Sequence, residues 1–212
     1  MKFLRTLFFL VVLVNSVHSQ TKNNVFDLKK LTWFGVDCSH LKFIGSYAEW
    51  GDKNRLVEIY MPAWNNVILN EPKKFNLSYN FNSCDIEVDI KKATALNALV
   101  STDSLVNLYH RKNKYLNEIQ IQDHILNNYK SNEHNGWGVV FLPENFDGYS
   151  KLAMIDVVIF DIATGKVELM KRLSSVGGGV GIRNYWVNTM HTCLNTVRKE
   201  WKHWSKNSQL KK

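Results

Sequence analysis

The segment Lys151–Trp186, KLAMIDVVIFDIATGKVELMKRLSSVGGGVGIRNYW, decides the fold class. Lys151–Ile162 is a near-continuous apolar run through Ile155, Val157, Val158, Ile159 and Phe160, the pattern of a central strand. Ala163-Thr164-Gly165 reads as a tight hairpin loop, with Gly165 free to take a positive φ. Val167–Leu173 returns as a second, more amphipathic strand. A three-residue loop pairs Ile162 with Lys166, so Asp156 faces Arg172, Val158 faces Met170 and Ile159 faces Leu169. Ile155, Val157, Ile159, Val167, Leu169 and Leu173 then share the face that helices should cover. The other face carries Asp156 and Arg172 as a cross-strand pair of opposite charge, worth about 0.2–1 kcal/mol and structural in role.

Gly177–Gly181 delivers the chain into a final helix predicted from Arg183 to Trp204. Its stripe is Trp186, Met190, Cys193/Leu194, Val197, Trp201 and Trp204, spaced by three or four. Arg183, a cation in the first turn, opposes the helix dipole, so a carboxylate is expected beside it, from Asp37 or Asp161.

Upstream, Leu31–Asp37 reads as the first strand and Leu41–Gly45 as an extended continuation. Asn54–Asn70 has helical spacing, with a kink or a start expected at Pro62. Cys84–Ile90 alternates as a half-buried strand with an acidic face. Ala93–Leu108 reads as irregular, with a short helical turn after Asp103. Asn117–Tyr129 is a short helix with Ile119, Ile125, Leu126 and Tyr129 inward. Gly136–Leu142 is a buried strand ended by Pro143, and Asn145–Ser150 a polar loop. The order predicts an α/β (α+β) fold: a mixed sheet including a C-terminal β-hairpin, about three helices packed on it, in a single domain.

At the N-terminus Lys2 and Arg5 precede an apolar stretch, Leu7–Val14, and small or branched residues at Val17 and Ser19. That pattern is a secretory signal peptide cut before Gln20, too short to span a bilayer. The expected organisation is a signal peptide over residues 1–19, one α/β domain over 20–204, and a basic, disordered tail over 205–212. The product is expected to be exported, periplasmic or extracellular, with no transmembrane segment.

The formal charge of +8 is unevenly spread. Two cations belong to the signal peptide, and Arg198–Lys212 holds six cations against Glu200. The body from Gln20 to Val197 is left with a single net positive charge, which argues against a nucleic-acid surface. Three cysteines, Cys38, Cys84 and Cys193, are too few and too odd for a disulfide scaffold. One bridge, such as Cys38–Cys84, and burial as free thiols both stay open.

Leu31–Gly45 (LTWFGVDCSHLKFIG), Met61–Phe75 (MPAWNNVILNEPKKF) and Gly136–Trp186 resemble an uncharacterised family of exported Bacteroidetes proteins. The resemblance covers most of the mature chain and implies a compartment and a domain type, with no catalytic residues. A weaker, fold-level likeness is to the small α/β domain shared by curli-assembly lipoproteins and the N-terminal domain of the translocation protein TolB. That likeness implies contacts within the cell envelope. No cysteine follows the apolar stretch at lipoprotein spacing, which departs from the curli-assembly pattern and argues against a lipid anchor.

Candidate chemistry is sparse. Gly177–Gly181 precedes a helix, as anion-binding loops do, but lacks the Gly-Lys-Ser/Thr ending and the dinucleotide spacing. Asp37-Cys38-Ser39-His40 is the densest reactive cluster and raises a hydrolase that uses Cys38 and His40. Side chains two apart on a strand point in parallel, however, and do not meet head-on. Ser39-His40-Leu41-Lys42 matches Ser-x-x-Lys without its companion Lys-Thr-Gly. The seven histidines are scattered without His-Glu-x-x-His, so neither a metal nor another cofactor is expected. Trp201, Lys202 and Trp204 form a basic, aromatic helix end and, with Arg183, are the interaction candidates. The reading is an exported non-catalytic domain acting through protein or cell-envelope contacts, with peripheral membrane contact through the basic tail. The alternatives are a small-ligand or glycan binder using a Trp-lined surface, and the Cys38/His40 hydrolase.

Overall fold

The computed structural model describes residues 24–108 and 115–209. The predicted signal peptide and the last three residues of the tail lie outside the described residues. The sheet has seven strands built around β5 (Trp137–Asp147). Strands β1 (Lys30–Val36) and β2 (Lys42–Ile44) lie end to end along one side of it. Leu31 pairs with Trp137 and Val36 with Phe141, while Lys42 pairs with Asn145 and Ile44 with Asp147. They are two halves of one interrupted strand. Beyond them, β3 (Asp85–Val88) pairs with β1 and β4 (Val106–Asn107) with β2. All five run parallel. On the other side β6 (Leu152–Asp161) and β7 (Val167–Val176) add antiparallel, giving the mixed sheet.

The hairpin body has the predicted register: Asp156 opposite Arg172, Val158 opposite Met170, Ile159 opposite Leu169. Its end differs. Phe160 pairs with Val167, which leaves Glu168 as an extra residue, and Asp161 N–H donates to Lys166 O at 2.9 Å. The loop is four residues, 162–165, because Asp161 Oδ1 accepts from both the N–H and the hydroxyl of Thr164 at 2.8 Å. Gly165 does take a positive φ, 71°. The bulge turns Val167 to the opposite face from Leu169 and Leu173, so the predicted face loses that residue.

β5 does not stop at Pro143. A bulge between Pro143 and Asn145 absorbs the missing N–H, and the strand continues through Asn145, Phe146 and Asp147, all buried. The predicted polar loop is therefore confined to residues 148–151, where Asp147 Oδ1 accepts from Tyr149 N at 2.9 Å.

Helices cover both faces, and seven α-helical segments and one π-helical turn occur among the described residues where about three helices were expected. On one face lie α1 (Tyr47–Trp50), α2 (Lys53–Arg55), α3 (Met61–Asn70), α4 (Leu77–Asn80) and α7 (Gly181–Gln209). A π-helical turn, Leu56–Tyr60, joins α2 to α3 without a break. An α-helical turn there would press the Pro62 ring against the carbonyl of Glu58, and the wider turn makes room. Phe141, Val157 and Ile159 of the sheet pack here with Trp64, Met190, Leu194 and Trp201. The other face is covered by α6 (Glu118–Asn128), whose Ile121, Ile125 and following Tyr129 pack on Phe34, Val140 and Phe160.

The predicted phase of α6 was half right: Ile125 and Tyr129 are buried, but Ile119 is 73% and Leu126 41% exposed. Lys91–Ala98 forms helix α5, where irregular chain was expected. It buries only Ala93 and Asn97, too little for an apolar stripe to mark it. The final helix is longer than predicted, 29 residues, and carries Ser205–Gln209 of the expected disordered tail. Nothing in Ser-Lys-Asn-Ser-Gln breaks a helix, and Trp204 anchors the preceding turn in the core.

Candidate functional site at the break between β1 and β2

Strand β1 ends in a bulge. Gly35 has φ 96°, and a Cβ there would stand 2.7 Å from Asn65 Oδ1, so the position needs glycine on both counts. Residues 37–41 then leave the sheet line before β2 resumes it. The freed peptide groups are taken up by two helix side chains. Asn65 of α3 accepts from Val36 N at 2.7 Å and donates to Val36 O at 3.0 Å. Asn97 of α5 donates to the same oxygen at 3.0 Å and accepts from Cys38 N at 2.6 Å.

Into this gap projects Asp37, 1% exposed. Its Oδ1 accepts from Ser39 N at 2.9 Å, and its Oδ2 from Tyr129 Oη at 2.7 Å and His124 Nε2 at 2.8 Å. Beyond, His124 Nδ1 faces His40 Nε2 at 3.2 Å and Asn128 Nδ2 at 3.2 Å. Helix α6 supplies His124 and Asn128 one turn apart and Tyr129 at its C-cap, on a start fixed by the Asn117–Gln120 capping box. The result is a chain Tyr129–Asp37–His124–His40 that runs from the core to the half-exposed His40.

Electrostatics fix the protons. Burial pushes the Asp37 carboxyl up, but the hydrogen bond from His124 and the donors of Ser39 outweigh it, and the net shift is downward. An ionised Asp37 only accepts, so His124 donates from Nε2, and Asn128 Nδ2, which only donates, faces Nδ1 as the acceptor. Burial, then the neighbouring His124, holds His40 below the ordinary imidazole value. Burial, then the Asp37 charge, raises the Tyr129 phenol well above its usual range.

This arrangement separates Cys38 from the histidine chain. Cys38 lies in the core with no exposure, and burial followed by the Asp37 charge raises its thiol well above 9.0. His40 is engaged with His124. A buried thiol whose thiolate is suppressed packs as a small apolar side chain. All three cysteines are free and buried. Ser-x-x-Lys fails too: Lys42 opens β2, and its Nζ donates to Ser104 O at 2.9 Å and to Ser104 Oγ at 3.1 Å.

The four interaction candidates are not brought together. Trp201 and Trp204 are buried, extending the core stripe of α7, and only Lys202 of that trio is exposed. Arg183 lies at the other end of α7, where its Nε donates to Asn184 Oδ1 at 3.0 Å. No ion pair reaches it among the described residues: Asp37 is held by His124 and Tyr129, and Asp161 by Thr164. The expected carboxylate is replaced by the Asn184 amide oxygen, which accepts a hydrogen bond but carries no charge. The Gly177–Gly181 loop is a packing turn, with Gly178 N–H bonded to Tyr185 O and Gly177 against the Tyr185 ring, where a Cβ would come within 2.0 Å.

A second polar cluster surrounds the predicted Asp156–Arg172 pair. Arg172 Nη2 lies 2.7 Å from Asp156 Oδ2, 3.1 Å from Glu144 Oε1 and 2.7 Å from Leu116 O, beneath the Tyr115 ring. Sequence reasoning found the pair but missed Glu144, and it missed His124, Asn128 and the inward hydroxyl of Tyr129. No protein-family model, curated protein or solved structure matches the chain.

Proposed function

We propose that this chain is an exported, non-catalytic α/β domain that binds another protein of the cell envelope along the outer edge of β7. One observation carries the reading: β7 is ten residues long and pairs with β6 only, so its outer side is open to strand addition among the described residues. The charged side chains that would blunt such an edge have partners of their own. Arg172 serves the Asp156 cluster, Lys171 lies over the Trp204 ring and Lys166 pairs with Glu168. At one end Gln122 accepts from Val167 N at 2.9 Å and donates to Gly165 O at 2.9 Å, doing for the edge what an added strand's peptide group does. An open groove of about 420 Å³ follows, lined by Ile119, Gln122 and Met170 among others.

Export rests on the sequence of residues 1–19 and on the resemblance to exported Bacteroidetes proteins. In the described residues no helix is long and apolar enough to cross a membrane. The glycan alternative loses its platform, since six of the seven tryptophans are buried and Trp137 is half-buried. Membrane contact through the α7 end rests on charge alone, because Trp201 and Trp204 are not available to insert.

The test places a photoreactive residue at the exposed Ser174 of β7 and, as control, at the exposed Ala98 of α5. Cross-linking in the native envelope, followed by mass spectrometry, should capture a partner at Ser174 and not at Ala98. Equal capture at both sites, or none, sinks the edge reading. N-terminal sequencing of the mature protein should begin at or within a few residues of Gln20, and a chain starting at Met1 sinks export.

A further inference from the structure

We propose that His40 and His124 form an exchangeable site for a divalent transition metal, with Asp37 as the carboxylate behind it. The two ring nitrogens face each other 3.2 Å apart, with the ring planes at 77°. Metal–nitrogen bonds of ~2.0–2.1 Å at a tetrahedral angle place two imidazole nitrogens about 3.3 Å apart, so the observed spacing matches two ligands of one ion, with the rings turning to aim both lone pairs at it. The far nitrogen of His124 is bonded to Asp37 Oδ2 at 2.8 Å, and Tyr129 Oη holds the same oxygen at 2.7 Å. A ligand histidine is oriented in this way when its second nitrogen donates to a fixed carboxylate. That hydrogen bond leaves the His124 Nδ1 lone pair facing His40 and Asn128 Nδ2, each at 3.2 Å, and a bound ion takes the place of the Asn128 contact.

Access and composition set the kind of site. His124 is nearly buried, whereas His40 sits half-exposed on the turn between β1 and β2, so an ion arrives from the His40 side. No group of three or more His, Cys, Asp or Glu surrounds a common point among the described residues. Two protein nitrogens leave coordination positions open, and the ion exchanges instead of acting as a closed structural centre. Coordination through His40 Nε2 takes the tautomer that carries its proton on Nδ1. Two imidazoles favour Cu²⁺, Ni²⁺ and Zn²⁺ over Mn²⁺, and they offer nothing to Mg²⁺ or Ca²⁺, which take oxygen ligands.

Calorimetric titration of the full mature chain with Zn²⁺, Ni²⁺ and Mg²⁺ tests this. One ion of Zn²⁺ or Ni²⁺ should bind per chain and Mg²⁺ should not. His40→Ala, in a half-exposed turn, should fold and lose at least about tenfold in affinity, while Asp37→Asn should weaken binding by about 10–100-fold. His203→Ala, on the exposed end of α7, should bind as the unmodified chain does. Asp37→Asn also removes a buried charge, so its fold is checked by circular dichroism; if it unfolds, His40→Ala alone decides. Unchanged affinity in His40→Ala, or an equal loss in His203→Ala, overturns the site.

Discussion

At Glu144, burial and a second carboxylate act against an arginine. The side chain is almost fully buried beside Asp156, and Leu116 N–H and Arg172 Nη2 are its donors. Burial first, and Asp156 after it, push its carboxyl from 4.5 up to about 7, with Leu116 and Arg172 pulling the other way. Between those two values the folded chain holds a proton that the unfolded chain has released. The contribution to stability is complete below about pH 4.5 and is lost as pH rises through about 7. Urea denaturation across that interval should show the unfolding free energy falling. Glu144→Gln, neutral at every pH, should flatten this component of the slope. Parallel curves for the two proteins would remove Glu144 from the account. The Asp156–Arg172 pair at the heart of this cluster was legible, because opposite charges in one hairpin register meet by arithmetic. Glu144 was not, since it depends on β5 continuing past a proline that reads as a stop.

Among the elements, α5 matters most for its size. It has eight residues, and its Asn97 satisfies Cys38 N–H and shares Val36 O with Asn65 of α3. Asn97→Ala leaves the Cys38 N–H buried without that partner, a loss of about 1–3 kcal/mol. A shift of the urea midpoint with unchanged slope measures it, and a loss below about 0.5 kcal/mol would mean that water reaches the gap. Sequence could not show this helix. Its buried positions are an alanine and an asparagine, so the periodic signal that revealed α7 through Trp186, Met190, Leu194 and Trp201 has no counterpart. The histidine site was hidden for a related reason. His40 and His124 are 84 residues apart and meet only where α6 packs beside the break between β1 and β2. Asp37 and His40 were singled out as reactive, but their partner could not be named from spacing within one strand.

For the whole molecule, the arrangement of strands around β5 carries a consequence for how the chain acquires its structure. Residues 137–176 form β5, β6 and β7 by two successive hairpins, whereas β1 and β2 find their place beside β5 about a hundred positions away. Short loops close at small entropic cost, and distant parallel pairings close late. The order of assembly therefore runs against the order of synthesis. The ribosome releases Leu31–Ile44, with Trp33, Phe34 and Phe43, long before the strand that will shelter it exists. Pulse-labelled hydrogen exchange during refolding should protect amides of β6 and β7 before those of β1 and β2, and simultaneous protection would contradict this order. Until β5 arrives, that apolar stretch is a natural client for a holding chaperone.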